Sequence, residues 1–255
     1  MKTDFLKEFL DEKYCQYASS KFVESDPIQI PHKYSNPSDI EISAFLAATL
    51  AWGQRPMIIR YATHLMNLMG ESPTDFILHY NKKQRQQVEA FQYRTFTGVD
   101  CNAFMQALSN IYKRGSSIKS LFVQGFDSTG NIKDTICYFR NHFIYSNFPT
   151  RTYKHISNPE CGSASKRLNM FLRWMVRTSN EKVDFGLWPE IPTSALMLPL
   201  DLHTGRVTRK LGLLTRNQND WKAVEEVTEN LRIFDANDPV KYDLALFGLG
   251  VFEKF

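Results

Sequence analysis

Asp201 is the one acid in the stretch LPLDLHTGRVTRKLGLL, residues 198–214, and it precedes the cations Arg206, Arg209 and Lys210. The apolar, proline-bounded residues before it and the helical spacing of apolar residues after it predict that Asp201 begins a helix. Its carboxylate then either only caps that helix or lies close to a negatively charged ligand that the cations attract. Both interpretations stay open at this point.

A second basic segment, KRLNMFLRWMVR at residues 166–177, has the same character. Its apolar residues recur at i, i+3, i+4 and i+7, which predicts an amphipathic helix with one buried face. Lys166, Arg173 and Arg177 fall in a narrow stripe on the opposite side, and no acid between residues 161 and 180 neutralises them. The stripe is either a solvated face or a surface that contacts phosphate groups.

Helix signals dominate the rest of the chain and predict an all-α fold. Ser38 and Glu41 have the spacing of a capping box before an apolar run, and Gly70 is a natural stop for the helix that follows GQRP. Asp100 has the position of a helix cap, with Gly115 as the stop. Alternating strand patterns are scarce, and KHIS and VDFGLW are too short to build a sheet.

Composition limits the classes of protein that the chain can represent. It has 255 residues, of which 43% are hydrophobic and 23% charged, and a net charge of +4. These values are typical of a folded globular protein, and the charge permits a polyanionic partner without requiring one. No apolar run is as long as a membrane span, and the start lacks the apolar segment of a signal peptide. Four widely spaced cysteines suit reduced thiols, so we expect a cytoplasmic protein.

We expect neither a cofactor nor a metal ion. The sequence has no P-loop, HExxH or GxSxG motif, and its cysteines do not form the run that holds an iron–sulfur cluster. One candidate set for a metal is Cys137, His142, His155 and Cys161. Its C-x4-H…H-x5-C spacing is not a standard zinc pattern.

Two stretches resemble the helix-hairpin-helix DNA glycosylases, the superfamily of endonuclease III and the 8-oxoguanine glycosylases. Leu200-Asp201-Leu202-His203, followed by Arg206-Val207 and Lys210-Leu211, is similar to the stretch around the catalytic aspartate of that superfamily. FLAATLAWGQRPMIIRYATHLM is similar to its L-L-S-x-Q segment and places Gln54 at the DNA-wedging glutamine. The whole chain looks closest to uncharacterised bacterial proteins that share KRLNMFLRWMVR, VDFGLW and LPLD-H. The glycine-rich hairpin of the superfamily has no counterpart in residues 178–199.

The resemblance implies one two-lobed α-helical domain over residues 1–255, with a cleft between the lobes. About 50–160 would form one lobe, and 1–49 plus 161–255 the other. It implies a base-excision DNA-repair activity in which the Asp201 carboxylate stabilises an oxocarbenium-like cation. In members that also have AP-lyase activity, a lysine attacks the sugar and forms a Schiff base. Lys166, which a helix would hold, is the preferred candidate, and Lys182 is the alternative.

DNA is the expected partner of a monomer that does not enter a membrane. The expected DNA contacts are Gln54, Arg55, Arg167, Arg173, Arg177, Arg206, Arg209 and Lys210. The expected base pocket contains Trp52, Phe185, Trp188 and His203. Two alternatives stay open: a non-catalytic nucleic-acid-binding protein, and a helical enzyme that acts on a small anionic substrate.

Overall fold

The computed structural model describes residues 3–178 and 181–255, and these residues confirm an all-α fold. The strands β1 (Gln92–Tyr93) and β2 (Phe96–Thr97) form only a two-residue antiparallel hairpin, and short 3₁₀ helices occur in several connections. In chain order the α-helices are α1 (Thr3–Tyr17), α2 (Ser20–Ser25), α3 (Pro37–Leu50), α4 (Arg55–Met69), α5 (Pro73–Leu78), α6 (Lys82–Glu89), α7 (Gly98–Tyr112), α8 (Ile118–Thr129), α9 (Ile132–Phe143), α10 (Lys166–Val176), α11 (Leu202–Lys210), α12 (Trp221–Arg232) and α13 (Tyr242–Val251).

The chain divides into two compact units, and the first is built from both ends of the sequence. The first unit comprises the described residues up to Glu24 together with Asn158–Phe255, and the second comprises Ser25–Ser157. Helix α3 packs against α4, α5 and α8, so it lies in the second unit. The lobes expected from the sequence differ from these units, because they group residues 1–49 with residues 161–255. The cleft that the resemblance implies stays a prediction.

The core of the first unit forms around α13, which packs against α1 and α11. Its sequence, YDLALFGLGV, is apolar on nearly every side, as is typical of a helix surrounded by others. Gly248 allows the closest of these contacts, because a Cβ atom there would lie 2.1 Å from a ring carbon of Tyr17 on α1. Any larger side chain at position 248 would therefore displace the Tyr17 ring from its place against α13.

The second unit has an aromatic core that joins α3, α7 and α9. The ring centroid of Phe45 lies 5.9 Å from that of Phe104, 5.5 Å from Phe139 and 5.3 Å from Phe143, mostly in edge-to-face arrangements. Such pairs contribute about 0.5–1.5 kcal/mol each beyond the burial of their area. All four rings are fully buried, so this cluster holds the three helices together.

The start of α3 differs from the predicted capping box of Ser38 and Glu41, which is therefore wrong. Asn36 is the cap, and its side-chain oxygen accepts hydrogen bonds from the backbone N–H groups of Ser38 and Asp39. Glu41 is buried, and it accepts hydrogen bonds from the Tyr112 hydroxyl and from the first two backbone N–H groups of α8. Glu41 thus caps a helix more than 70 residues away, which local spacing does not reveal.

Two other helix ends also test the sequence analysis. Helix α4 ends at Gly70, which has a φ of 83° and confirms the predicted stop. Helix α7 begins two residues before Asp100, with Thr97 as its cap. Asp100 is the acidic partner of that cap, since it accepts a hydrogen bond from the Thr97 backbone N–H. The prediction that Asp100 is itself the cap is therefore wrong. Asp100 is the second residue of the capping box, and Thr97 is the first.

Candidate functional site

Asp201 lies at the start of α11, where the sequence analysis predicts it. Its Oδ1 atom accepts hydrogen bonds from the backbone N–H groups of His203 at 2.8 Å and Thr204 at 2.9 Å. The preceding residues 196–200 are buried, and Leu198 donates its backbone N–H to the Thr228 hydroxyl. Asp201 is only half-buried, and its Oδ2 atom has no hydrogen-bond partner within the part of the chain that the structure describes. One carboxylate oxygen is thus available to a ligand.

Lys166 is the first residue of α10 and follows a residue with an unusual backbone. The buried Ser165 has a φ of 48° and a ψ of 35°, a left-handed conformation that residues with a side chain rarely adopt and that clusters at functional sites. Lys166 is half-buried. Among residues 3–178 and 181–255, no carboxylate lies within ion-pairing distance of its amine. Its ammonium group is therefore not neutralised by a direct contact.

The buried carboxyl group of Asp243, on α13, relates these two side chains to each other. Helix α11 packs against α13, and Arg173 of α10 donates a hydrogen bond to Asp243. Burial raises the pKa of Asp243 to about 6, while the positive charges of Arg173 and Lys166 act to lower it and the negative charge of Asp201 acts to raise it. Lys166 and Asp201 are thus both close enough to Asp243 to act on its ionisation.

Arg173 and Arg177 do not face a surface, so the expectation that they contact DNA is corrected. Both are almost fully buried, at 3% and 2% exposure. Arg173 contacts Asp184 and Asp243, and Arg177 contacts Asp184 at 3.0 Å and Asp238 at 2.8 Å. Arg173 and Arg177 are buried because three aspartates from later in the chain surround them, which leaves these two cations neutralised inside the unit.

The other cations expected to contact DNA differ in how far they are buried and in how many hydrogen bonds they make within the protein. Arg167 is half-buried, and burial lowers the pKa of its guanidinium to about 10. Arg209 donates to the backbone oxygen of Arg216 at 2.8 Å and to the side-chain oxygen of Asn219 at 2.6 Å. Arg206 and Lys210 are exposed; Arg206 donates one hydrogen bond to the Gly250 oxygen, and Lys210 lies 5.3 Å from the Phe255 ring. These last two retain the most accessible charge on α11.

Gln54, Arg55 and Trp52 lie in the second unit, around the start of α4. Gln54 is exposed and occupies the cap position without a side-chain capping bond. Arg55 contacts the Ser25 oxygens at 3.4 Å, and its Nε lies 3.9 Å from Asp26. The half-buried Trp52 ring has the Arg94 guanidinium 4.5 Å from its centroid.

The remaining residues expected in a base pocket, and the alternative nucleophile Lys182, differ in how far their side chains are buried. Trp188 is 1% exposed and packs edge-to-face on Phe171 of α10, so it is a core residue and the expectation that it contacts a base is corrected. Phe185 is half-buried, and its backbone N–H donates to the Trp174 oxygen. His203 is exposed beside Asp201. Lys182, the alternative nucleophile, is exposed with a φ of 53°.

Sequence reasoning missed Asp243 and Asn219. Asp243 could have been found, because a single acid in the apolar helix YDLALFGLGV needs a buried partner. Asn219 carries no such signal. Its side-chain N–H donates to the backbone oxygen of Asp201 at 2.9 Å, although 18 residues separate them. Only the three-dimensional structure brings this amide to the main chain of Asp201.

Fold and site together define an all-α protein in which a lysine and a helix-capping aspartate both act on a buried carboxyl group. The chain belongs to the family described as "Protein of unknown function (DUF2400)", whose model matches residues 26–252. No curated protein and no solved structure gives a significant match.

Within residues 3–178 and 181–255, no helix has the length and hydropathy needed to cross a membrane. The same residues contain no group of three or more His, Cys, Asp or Glu side chains that could hold a metal ion.

Proposed function

We propose that this protein is a DNA N-glycosylase with AP-lyase activity, in which Asp201 and Lys166 act on a base displaced from the duplex. The observation that carries the proposal is the arrangement of these two side chains in the first unit. Each is half-buried, neither is neutralised by a direct ion pair among the described residues, and both charges act on Asp243. An amine and a carboxylate held in this way are the two groups that the reaction needs.

The roles follow from the chemistry of the glycosidic bond. As the bond between base and deoxyribose breaks, positive charge develops on the sugar, and the Asp201 carboxylate stabilises that charge. The base departs with the electron pair of the glycosidic bond and takes up a proton. The Lys166 amine, once it has given up a proton, forms a bond to C1′ of the sugar, and cleavage of the C1′–O4′ bond with protonation of O4′ then gives the Schiff base. Displacing the base from the stack costs a few kcal/mol, which the contacts to DNA must offset.

The exposed cations of α11 supply a small electrostatic contact for the DNA backbone. Arg206 and Lys210 lie about one and a half and two and a half turns after Asp201 and remain accessible. Each phosphate that such a cation neutralises releases a counterion, which makes the affinity depend on salt. We place this activity in a cytoplasmic monomer, as the sequence analysis expects.

Borohydride trapping on a panel of duplexes with damaged bases tests the proposal. We expect wild type and Lys182→Gln to form a covalent adduct with at least one duplex, and Lys166→Gln to form none.

Asp201→Asn tests the role of the carboxylate, because asparagine also caps helices well and the fold is retained. We expect this variant to bind DNA normally and to release base about 100-fold more slowly.

The other outcomes are equally informative. An adduct lost only in Lys182→Gln would transfer the nucleophilic role to that residue. Base release by Lys166→Gln at the wild-type rate, with no adduct in any variant, would exclude the lyase step. Salt-dependent DNA binding with no base release from any duplex would contradict the proposal and favour a non-catalytic DNA-binding protein.

A further inference from the structure

The loop that connects α11 to α12 folds back onto the start of α11 and contacts the main chain of Asp201. Asn219, near the end of this loop, donates its Nδ2 hydrogen to the Asp201 backbone oxygen at 2.9 Å. The same oxygen accepts the backbone N–H of Gly205 at 2.8 Å, within α11. The main chain of Asp201 is therefore held by a side chain that comes from 18 residues later.

Arg209 determines which way the Asn219 amide points. Its Nη2 donates to Asn219 Oδ1 at 2.6 Å, and its Nε donates to the Arg216 backbone oxygen at 2.8 Å. A guanidinium can only donate hydrogen bonds, so the amide must present its oxygen to Arg209. The amide nitrogen then faces the Asp201 oxygen, which can only accept. The chemistry of the two neighbours thus permits one orientation of this amide.

Gly205 makes room for this contact. A Cβ atom at position 205 would lie 2.7 Å from Asn219 Oδ1, 2.8 Å from Asn219 Nδ2 and 2.9 Å from Arg209 Nη1. Such distances are too short for ordinary packing, so any side chain there would displace the amide or the guanidinium. Glycine lowers helix stability, and its presence inside α11 is explained by this close approach.

From these contacts we infer that Asn219 is a positioning residue for Asp201, oriented by Arg209 and accommodated by Gly205. The inference rests on the proposed function for its effect on catalysis. Asp201 is fixed at its side chain through the N–H groups of His203 and Thr204, and at its main chain through Asn219. Its Oδ2 is then held in one place for the reacting sugar. Arg209 accordingly orients the site and is not a phosphate contact.

Three variants separate this role from simple packing. Asn219→Ala removes both hydrogen bonds. Asn219→Asp retains an oxygen for Arg209 but replaces the donor to Asp201 with a second oxygen, which repels it. Asn217→Ala is the matched control, because Asn217 is exposed in the same loop.

Kinetics on a substrate duplex give the first readout. We expect Asn219→Ala and Asn219→Asp to lower the single-turnover rate of base release about 10- to 100-fold, as loss of a supporting hydrogen bond does elsewhere. Their Kd for DNA should stay within about twofold of wild type, because no phosphate contact is removed. Wild-type rates in Asn219→Asp, or a Kd that rises as much as the rate falls, would overturn the inference.

Hydrogen exchange at the start of α11 gives a second readout that needs no activity. Asn219→Ala and Asn219→Asp should accelerate exchange of the backbone N–H groups of His203, Thr204 and Gly205, and Asn217→Ala should not. If wild type proves inactive on every duplex, the proposed function fails, while faster exchange in both Asn219 variants still supports the positioning of Asp201. Exchange equal to wild type in both variants would refute that positioning, whatever the activity.

Discussion

Helices α10 and α11 carry the same kind of sequence pattern, with several cations opposite an apolar face, but their cations have different environments. Arg173 and Arg177 of α10 are buried against Asp184, Asp238 and Asp243. On α11, Arg206 and Lys210 remain exposed. The comparison shows that an amphipathic pattern predicts one buried face and leaves the other undecided. The deciding residues are carboxylates that lie between 7 and 70 positions away in the sequence.

Removing a cation from α10 should have the largest effect on stability. Arg173→Met keeps much of the volume but leaves Asp184 and Asp243 without this partner in a buried place. We expect the free energy of unfolding to fall by about 3–5 kcal/mol, the usual cost of breaking a buried ion pair from one side. Urea denaturation at pH 7 measures this change, with Arg206→Met on α11 as the matched control. A loss below about 1 kcal/mol in Arg173→Met would contradict the assignment of these contacts as buried ion pairs.

The pH dependence of stability should test the buried environment of Arg173 on α10, because its partner Asp243 binds a proton more readily in the folded protein. Burial raises its pKa from 3.8 to about 6, against the opposing charges of Arg173 and Lys166. Between these values the folded state holds more protons than the unfolded state, so this group makes the free energy of unfolding decrease as pH rises from about 4 to 6. At about 1.4 kcal/mol per pKa unit, the decrease is about 3 kcal/mol.

The measurement is the difference in the free energy of unfolding between wild type and Asp243→Asn. Urea denaturation gives this difference at several pH values. The stability of wild type relative to this variant should decline through the window from pH 4 to 6 and stay constant above it. Asp238, whose pKa burial also raises, is present in both proteins and cancels in the difference. A difference that does not change with pH would show that Asp243 has an ordinary pKa in the folded protein.

The sequence predicts the parts of this structure that depend on neighbours along the chain. The all-α class, the cap at Asp201 and the stop at Gly70 follow from local spacing, and each is present. Contacts between distant residues could not be predicted. Glu41 has the spacing of a local cap but serves α8, because its buried carboxylate can satisfy N–H groups from any helix that packs beside it.

The candidate site follows the same division. Asp201 and the first position of α10 could be proposed from motifs. The single acid of the apolar helix α13, Asp243, indicates a buried partner without saying which one, and the amide of Asn219 carries no signal in the sequence. These two groups reach the site through the packing of α13 and the return of the loop after α11. One hydrogen bond from a loop leaves no periodic trace in a sequence, so single residues of this kind require a structure.

Arg209 lies between the two extremes of the comparison, since it is on α11 but half-buried. Arg209→Gln removes the hydrogen bonds to Asn219 and to the Arg216 oxygen. We expect the free energy of unfolding to fall by about 1–3 kcal/mol, because hydrogen bonds from a charged donor are lost and two acceptors are left behind. Thermal and urea unfolding measure the change. A variant as stable as wild type would mean that the loop after α11 is held by other contacts.

The smallest effect on stability, and the clearest effect on binding, should come from the exposed cations of α11. Arg206→Gln and Lys210→Gln each lose one weak contact at the surface, so we expect the free energy of unfolding to change by less than about 1 kcal/mol. If the proposed function is correct, each variant should also lower the slope of log affinity for duplex DNA against log salt by about 0.9, because each removes one phosphate contact. Lys21→Gln, an exposed lysine on α2, is the control and should leave the slope unchanged. A slope that falls equally in all three variants would mean that DNA responds to the net charge of the protein, and the distinction between α10 and α11 would then concern stability alone.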